Sequence, residues 1–250
     1  MVLIAFLRYR KDLLRMLRNP KDVVILVIFS IAGLMFIQVS FIEAIAYTNS
    51  GTATILQYTG LVLIMIVNCI IARRLPQKKE VLSVLLVIVG TFLLATHGNF
   101  HSLAISGKGL FWGLTAAVAM TSYTMIPRRI IGEYGAIPVI GCGMLISGVV
   151  LSLFSGALRQ PLSTDPTFQL AFWTTVIVGS ILSYTLYLGG VNLCGPVRGS
   201  LASSIEPVSA TFWMVVWLGE PFYPVEAVGF LCIFATIFLL AQKEKAPQSE

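Results

Sequence analysis

Charge is scarce in this chain. Of its 250 residues, only 11% are Asp, Glu, Lys or Arg, against about a quarter in an ordinary soluble domain. Apolar residues make up 57%, and the mean hydropathy is +0.88. A water-soluble globule of this size has no interior large enough for so much apolar surface, so a soluble enzyme is excluded. Disorder falls with it. There are two histidines and four cysteines, and Cys69, Cys142, Cys194 and Cys232 are scattered singly. With no CxxC pair, neither a disulfide scaffold nor a zinc module fits. What remains is an integral membrane protein.

Apolar runs of about 17–25 residues can cross a bilayer as helices. Eight such runs are present, at 23–47, 52–72, 81–96, 109–127, 136–158, 168–190, 199–218 and 225–241. The third sits at the lower limit, roughly 24 Å long if helical. Continuous apolarity without period-two alternation favours helices over a β-barrel. Gly, Pro and Asn punctuate the connections, as at Gly51, Pro76, Gly195-Pro196, Pro221 and Pro224.

The net charge of +6 is distributed as a topology signal rather than as a nucleic-acid patch. If the amino-terminal stretch is cytoplasmic and the spans alternate, the other side receives only Lys108 and Arg159 of the 17 Lys and Arg residues. Such a bias sets orientation with both ends inside, and a wrong span count would scramble it. Trp112, Trp173, Trp217 and Tyr223 then fall near outer helix ends, as an aromatic belt would. The basic stretch from Arg8 to Lys21 reads as a topology-setting segment.

The chain also repeats itself. A shift of 146 residues lays 44–97 on 190–243 without a gap, with Phe92-Leu93-Leu94-Ala95 on Phe238-Leu239-Leu240-Ala241 and Glu80 on Glu226. Few positions are identical, so the coincidence of element lengths carries the comparison. Matched spans are five apart, and an odd number predicts that the two copies run in opposite directions. Inverted repeats of this kind are typical of transporters, whose substrate site lies near the midplane between halves.

Two stretches resemble the ten-helix EamA-type transporters of the drug/metabolite transporter superfamily. The run from Tyr47 to Tyr58 is similar to the entry of that family's fourth helix. The second stretch is Gly195-Pro196, then Ala202-Ser203-Ser204-Ile205-Glu206-Pro207-Val208, with Gly219-Glu220 twelve residues beyond Pro207. It is similar to the signature of the ninth helix. The resemblance implies an all-α membrane fold built from two inverted five-helix repeats. The first, 1–97, lacks the family's first helix and most of its second; the second is 107–242, and 243–250 is a cytoplasmic tail. The first repeat departs from pattern where Gly60-Leu61 replaces a common proline and Arg73-Arg74 replaces Gly-Glu.

Several residues invite a functional reading. Glu206 lies inside a span, where an ionised carboxylate is expensive and marks a pathway or a partner. Pro207 removes a backbone donor beside it, so the pair reads as a helix break and gate. The structural alternative is a capped helix break. Gln57, Tyr58, Ser183, Tyr184, Ser203 and Glu206 are the candidate substrate-binding set, with Gln38, Asn68 and Ser204 as further polar groups within spans. Their bland alternative is interhelical hydrogen bonding. His97 and His101 have HxxxH spacing in a loop and lack a third ligand, so no metal site is expected. No cofactor is expected either. The glycine pairs Gly109–Gly113 and Gly195–Gly199 read as close packing within one bundle.

The leading expectation is a secondary transporter in the cell membrane, exporting small metabolites such as amino acids by alternating access between the repeats. Its partners would be a small-molecule substrate and membrane lipid, with a second copy of the chain as a further candidate and no nucleic acid. The first alternative is a non-transporting module or truncated subunit that needs a partner. The second is an intramembrane enzyme, which would need a nucleophile with a base, or a metal cluster, at membrane depth. The sequence has no GxSxG or HExxH motif to supply one.

Overall fold

The computed structural model describes residues 9–48, 50–96, 99, 106–156, 164–219 and 223–241. Within them every regular element is a helix. A short helix α1 (Arg10–Arg18) precedes α2 (Pro20–Tyr47), α3 (Ser50–Ile71), α4 (Lys78–Thr96) and α5 (Gly107–Tyr134). Then follow α6 (Ala136–Ser155), α7 (Pro166–Cys194), α8 (Pro196–Ala202), α9 (Ile205–Leu218) and α10 (Pro224–Ala241). Helices α2, α3, α5, α6 and α7 are long and apolar enough to cross a membrane. The run expected as one span at 199–218 is divided between α8 and α9.

The helix starts follow from local chemistry. Asn19 caps α2, accepting from the Lys21 N–H, and Asp165 caps α7, accepting from the Thr167 N–H. In each case a proline follows at the first helical position, where its missing N–H costs nothing. Both long helices then widen into π-helical segments, Phe29–Met35 in α2 and Thr175–Leu182 in α7. Serine hydroxyls compete for carbonyls there. Ser30 donates to the Leu26 carbonyl, and Ser180 and Ser183 donate to the Thr175 and Val178 carbonyls.

Close packing divides the chain into two units, and each draws on both sequence halves: Met1–Ser40 with Val118–Gly199, and Phe41–Ala117 with Ser200–Glu250. In the first unit, Leu26, Phe29, Leu34, Ile130, Ile140 and Leu188 form the core. Helix α1 is anchored to it by Leu13 and Met16, while Leu14 and Leu17 remain exposed. Burying a side chain such as Met16 contributes roughly 1.5–3 kcal/mol. Gly33 lets α2 approach α5, because a Cβ there would stand 3.0 Å from Tyr123 Cα.

In the second unit, α4 and α10 pack side by side in opposite directions. Thr236 donates to the Ser83 carbonyl at 3.4 Å. A Cβ on Gly90 would lie 2.9 Å from the Gly229 carbonyl oxygen, so the partner residue falls as the α4 number rises. Gly229 is the repeat counterpart of Ser83, and Thr236 that of Gly90, so the two contacts are equivalent under the repeat. Gly109 faces Thr48 and Gly113 faces Leu56, which places both glycines of that pair in packing within the chain.

Candidate functional site

The first unit gathers hydroxyls and aromatic rings behind its two π-helical segments. Gln38, just beyond the segment in α2, donates from Nε2 to Tyr184 Oη at 2.6 Å, and Tyr184 lies just beyond the segment in α7. On α5, the Tyr123 ring stacks on Tyr187 at 5.6 Å and 10°, and meets Tyr184 edge-on at 5.6 Å and 61°. The Phe29 ring stacks on Tyr123 as well, at 6.0 Å. Thr124 Oγ1 and Tyr187 Oη share a hydrogen bond of 3.0 Å.

This cluster has no formal charge. It offers π faces and hydroxyls that both donate and accept. Gln38 is exposed, Tyr184 and Tyr187 are half-buried, and Tyr123 is buried. Tyr123 Oη has no hydrogen-bond partner among the described residues. Leaving a buried hydroxyl unpaired costs about 1–3 kcal/mol, so the cluster favours a group that brings an acceptor. The sequence reading picked out Tyr184 and Gln38 but missed Tyr123, Thr124 and Tyr187. The polar run Thr121-Ser122-Tyr123-Thr124 inside an apolar span was the available signal.

Of the other candidate residues, the second unit brings Tyr58 and Ser203 together. Buried Tyr58 donates to the Ser203 carbonyl at 3.4 Å, and Gln57 is half-buried one position earlier on α3. Between α8 and α9, the Ser203 and Ser204 hydroxyls donate to the Ser200 and Leu201 carbonyls, each at 2.6 Å. These back-bonds compete with the helix and turn the chain. The interruption therefore precedes Glu206 and Pro207, which lie in the first turn of α9. The exposed Glu206 carboxylate has no ion-pair partner among the described residues. In the first unit, the Ser183 hydroxyl is engaged by its own helix. His97, His101 and Glu220 lie outside the described residues.

A second polar cluster, also missed, stands at the basic end of the first unit. Asp22 is fully buried, and its Oδ2 accepts from Asn19 Nδ2 at 2.7 Å and from Tyr134 Oη at 2.8 Å. Arg129 Nη2 stands 3.5 Å from Oδ1, and Arg15 pairs with Glu133 at 3.8 Å nearby. Helices α1, α2 and α5 each contribute a member to this group. The helix-start signal Asn19-Pro20-Lys21-Asp22 marked the position of the carboxylate but not its burial.

Long apolar helices that carry an uncharged polar cluster fit a multi-pass membrane protein, and comparison with known proteins adds that its class is a transporter family. The model of the EamA-like transporter family matches residues 1–96 and again 107–242, so the chain belongs to that family. The uncharacterized inner membrane transporter YicL of Salmonella typhimurium is 34% identical over 242 residues, spanning 96% of this chain and 81% of that protein. The uncharacterized transporter YetK of Bacillus subtilis is 24% identical over 92% of this chain and 72% of its own. A crystal structure at 18% identity superposes with a TM-score of 0.74, covering 91% of this chain and 78% of that one, and shares the fold. The family and these relatives point to transport of a small molecule in a lipid membrane rather than to enzymatic chemistry.

Proposed function

We propose that this chain is a secondary transporter of the cell membrane. It exports small metabolites such as amino acids by alternating access between its two inverted repeats, with both ends cytoplasmic. The observation that carries the reading is the Gln38–Tyr184 hydrogen bond. Its two residues are repeat counterparts, each follows a π-helical segment, and the aromatic cluster lies beside them. Polar groups at membrane depth and interrupted helices are what a midplane site of an inverted-repeat transporter requires.

In this reading, Tyr123, Tyr184, Tyr187 and Gln38 contact the solute in the first unit. In the second, Gln57, Tyr58, Ser203 and Glu206 are further candidate contacts, and Glu206 with Pro207 acts as a gate. The absence of charge around the tyrosines favours solutes that are neutral overall. The test is counterflow uptake of a labelled amino-acid panel into proteoliposomes containing a monodisperse preparation of the chain. Saturable exchange supports the proposal, whereas a folded protein silent to the whole panel removes amino acids from it.

A further inference from the structure

Helix α3 ends in an unusual way. Arg74 N–H donates to the Cys69 carbonyl at 3.0 Å and Arg73 N–H to the Ile70 carbonyl at 3.1 Å, a closing turn of the kind that needs a left-handed residue. That residue is Arg73, at φ +49°, the one non-glycine residue with positive φ among those described. Its repeat counterpart is Gly219, at φ +70° after α9. An arginine thus stands in backbone geometry that glycine adopts without steric cost.

Arg73 and Arg74 help to line an open groove of about 440 Å³, whose apolar wall is Met65, Ile66, Cys69, Ile70, Leu75 and Pro76. Arg74 is already committed to a two-pronged ion pair with Glu80 at 2.8 and 2.5 Å. Arg73 is exposed, and its guanidinium has no ion pair among the described residues. The groove therefore combines an apolar wall along the end of a membrane-spanning helix with two arginines, of which Arg73 is the one not held in an ion pair among the described residues. One ligand matches both parts. An anionic phospholipid places acyl chain on the apolar wall and its phosphate on the guanidinium, which binds phosphate through paired donors.

We infer that this groove is a binding site for an anionic phospholipid, held at its headgroup by Arg73. The inference is independent of what the protein transports. It gives a use to an arginine in left-handed geometry where a glycine would close the same turn.

The experiment compares the wild type with Arg73→Gly, Arg73→Lys and Lys79→Gln, the last removing a nearby exposed charge outside the groove. Melting temperature is measured in neutral detergent, and again after adding phosphatidylglycerol or phosphatidylcholine; native mass spectrometry counts retained lipid. Arg73→Gly is expected to melt at or above the wild type in neutral detergent, which shows that it folds. It should also lose most of the rise given by phosphatidylglycerol and the bound lipid. Arg73→Lys should keep part of that rise and Lys79→Gln nearly all of it. A wild-type response in Arg73→Gly would overturn the inference. So would an equal loss in Lys79→Gln, which signals diffuse attraction, or an equal rise with inorganic phosphate alone, which signals a free-anion site.

Discussion

Gln38 donates a 2.6 Å hydrogen bond to Tyr184, the residue 146 positions later that is its own counterpart in the second repeat. A residue bonded to its counterpart lies beside the local axis that relates the two copies. The same shift relates the caps Asn19 and Asp165, the prolines after them, and Gly33 and Gly179 within the π-helical segments. It also relates Glu80 and Glu226, which accept the N–H of Gln77 and of Tyr223 at 2.9 and 2.8 Å and so start α4 and α10 identically. The repeat is thus written in helix starts and interruptions more than in apolar side chains.

Removing either half of the Gln38–Tyr184 pair is expected to lower transport while leaving the fold intact. Interhelical hydrogen bonds in membranes average about 0.6 kcal/mol, so Gln38→Leu and Tyr184→Phe should each destabilise by no more than about 1–2 kcal/mol. A double-mutant cycle on uptake rate tests this. The double variant should be little worse than the poorer single one, whereas fully additive losses would mean that the two residues act separately.

The buried Asp22 has a different signature. Asp22→Ala leaves the Tyr134 hydroxyl and the Asn19 amide without their acceptor, and should destabilise by about 1–3 kcal/mol. Tyr134→Phe should cost about 1 kcal/mol. Arg129→Gln should cost less than Asp22→Ala, because that side chain is 61% exposed and its 3.5 Å contact is loose, even though it leaves the buried Asp22 Oδ1 without a cation. Thermal melts in one detergent rank the three; a ranking led by Arg129 would show that the charge pair, not the hydrogen bonds, holds this end together.

Glu206 is exposed in the first turn of α9 and is not held in an ion pair among the described residues. Glu206→Gln should fold normally and alter the pH dependence of flux. Wild-type flux at every pH would retire a role for this carboxylate in the transport cycle.

The Lys and Arg bias makes a prediction about orientation. A reporter fused after Lys79 should read cytoplasmic, and one fused after Ser102 should read on the far side of the membrane. The opposite pair of readings would invert the topology on which the direction of export depends.

The all-helical membrane fold and its family were legible in the sequence, because long apolar runs and helix-terminating residues are local signals. Tyr184 was legible too, as a polar residue inside a span. Tyr123 was not singled out, since the value of its hydroxyl depends on Phe29, Tyr184 and Tyr187 converging from other helices. The sequence predicts a helix break at Glu206-Pro207, whereas α8 and α9 divide just before that pair, at 203–204, a shift that escaped for a similar reason. Ser203 and Ser204 are common in membrane helices, and their back-bonds to Ser200 and Leu201 emerge only with coordinates. Where segments are apolar all round, periodicity does not identify the face that meets a neighbour.

The central claim is that the Gln38–Tyr184 region opens to each side of the membrane in turn. The direct measurement is labelling of Gln38→Cys by a membrane-impermeant thiol reagent, in a chain whose four native cysteines have been replaced and whose uptake is retained. Right-side-out and inside-out vesicles should both be labelled, and a transported solute should slow both reactions. Labelling from one side only, unchanged by any transported solute, would contradict alternating access at this position.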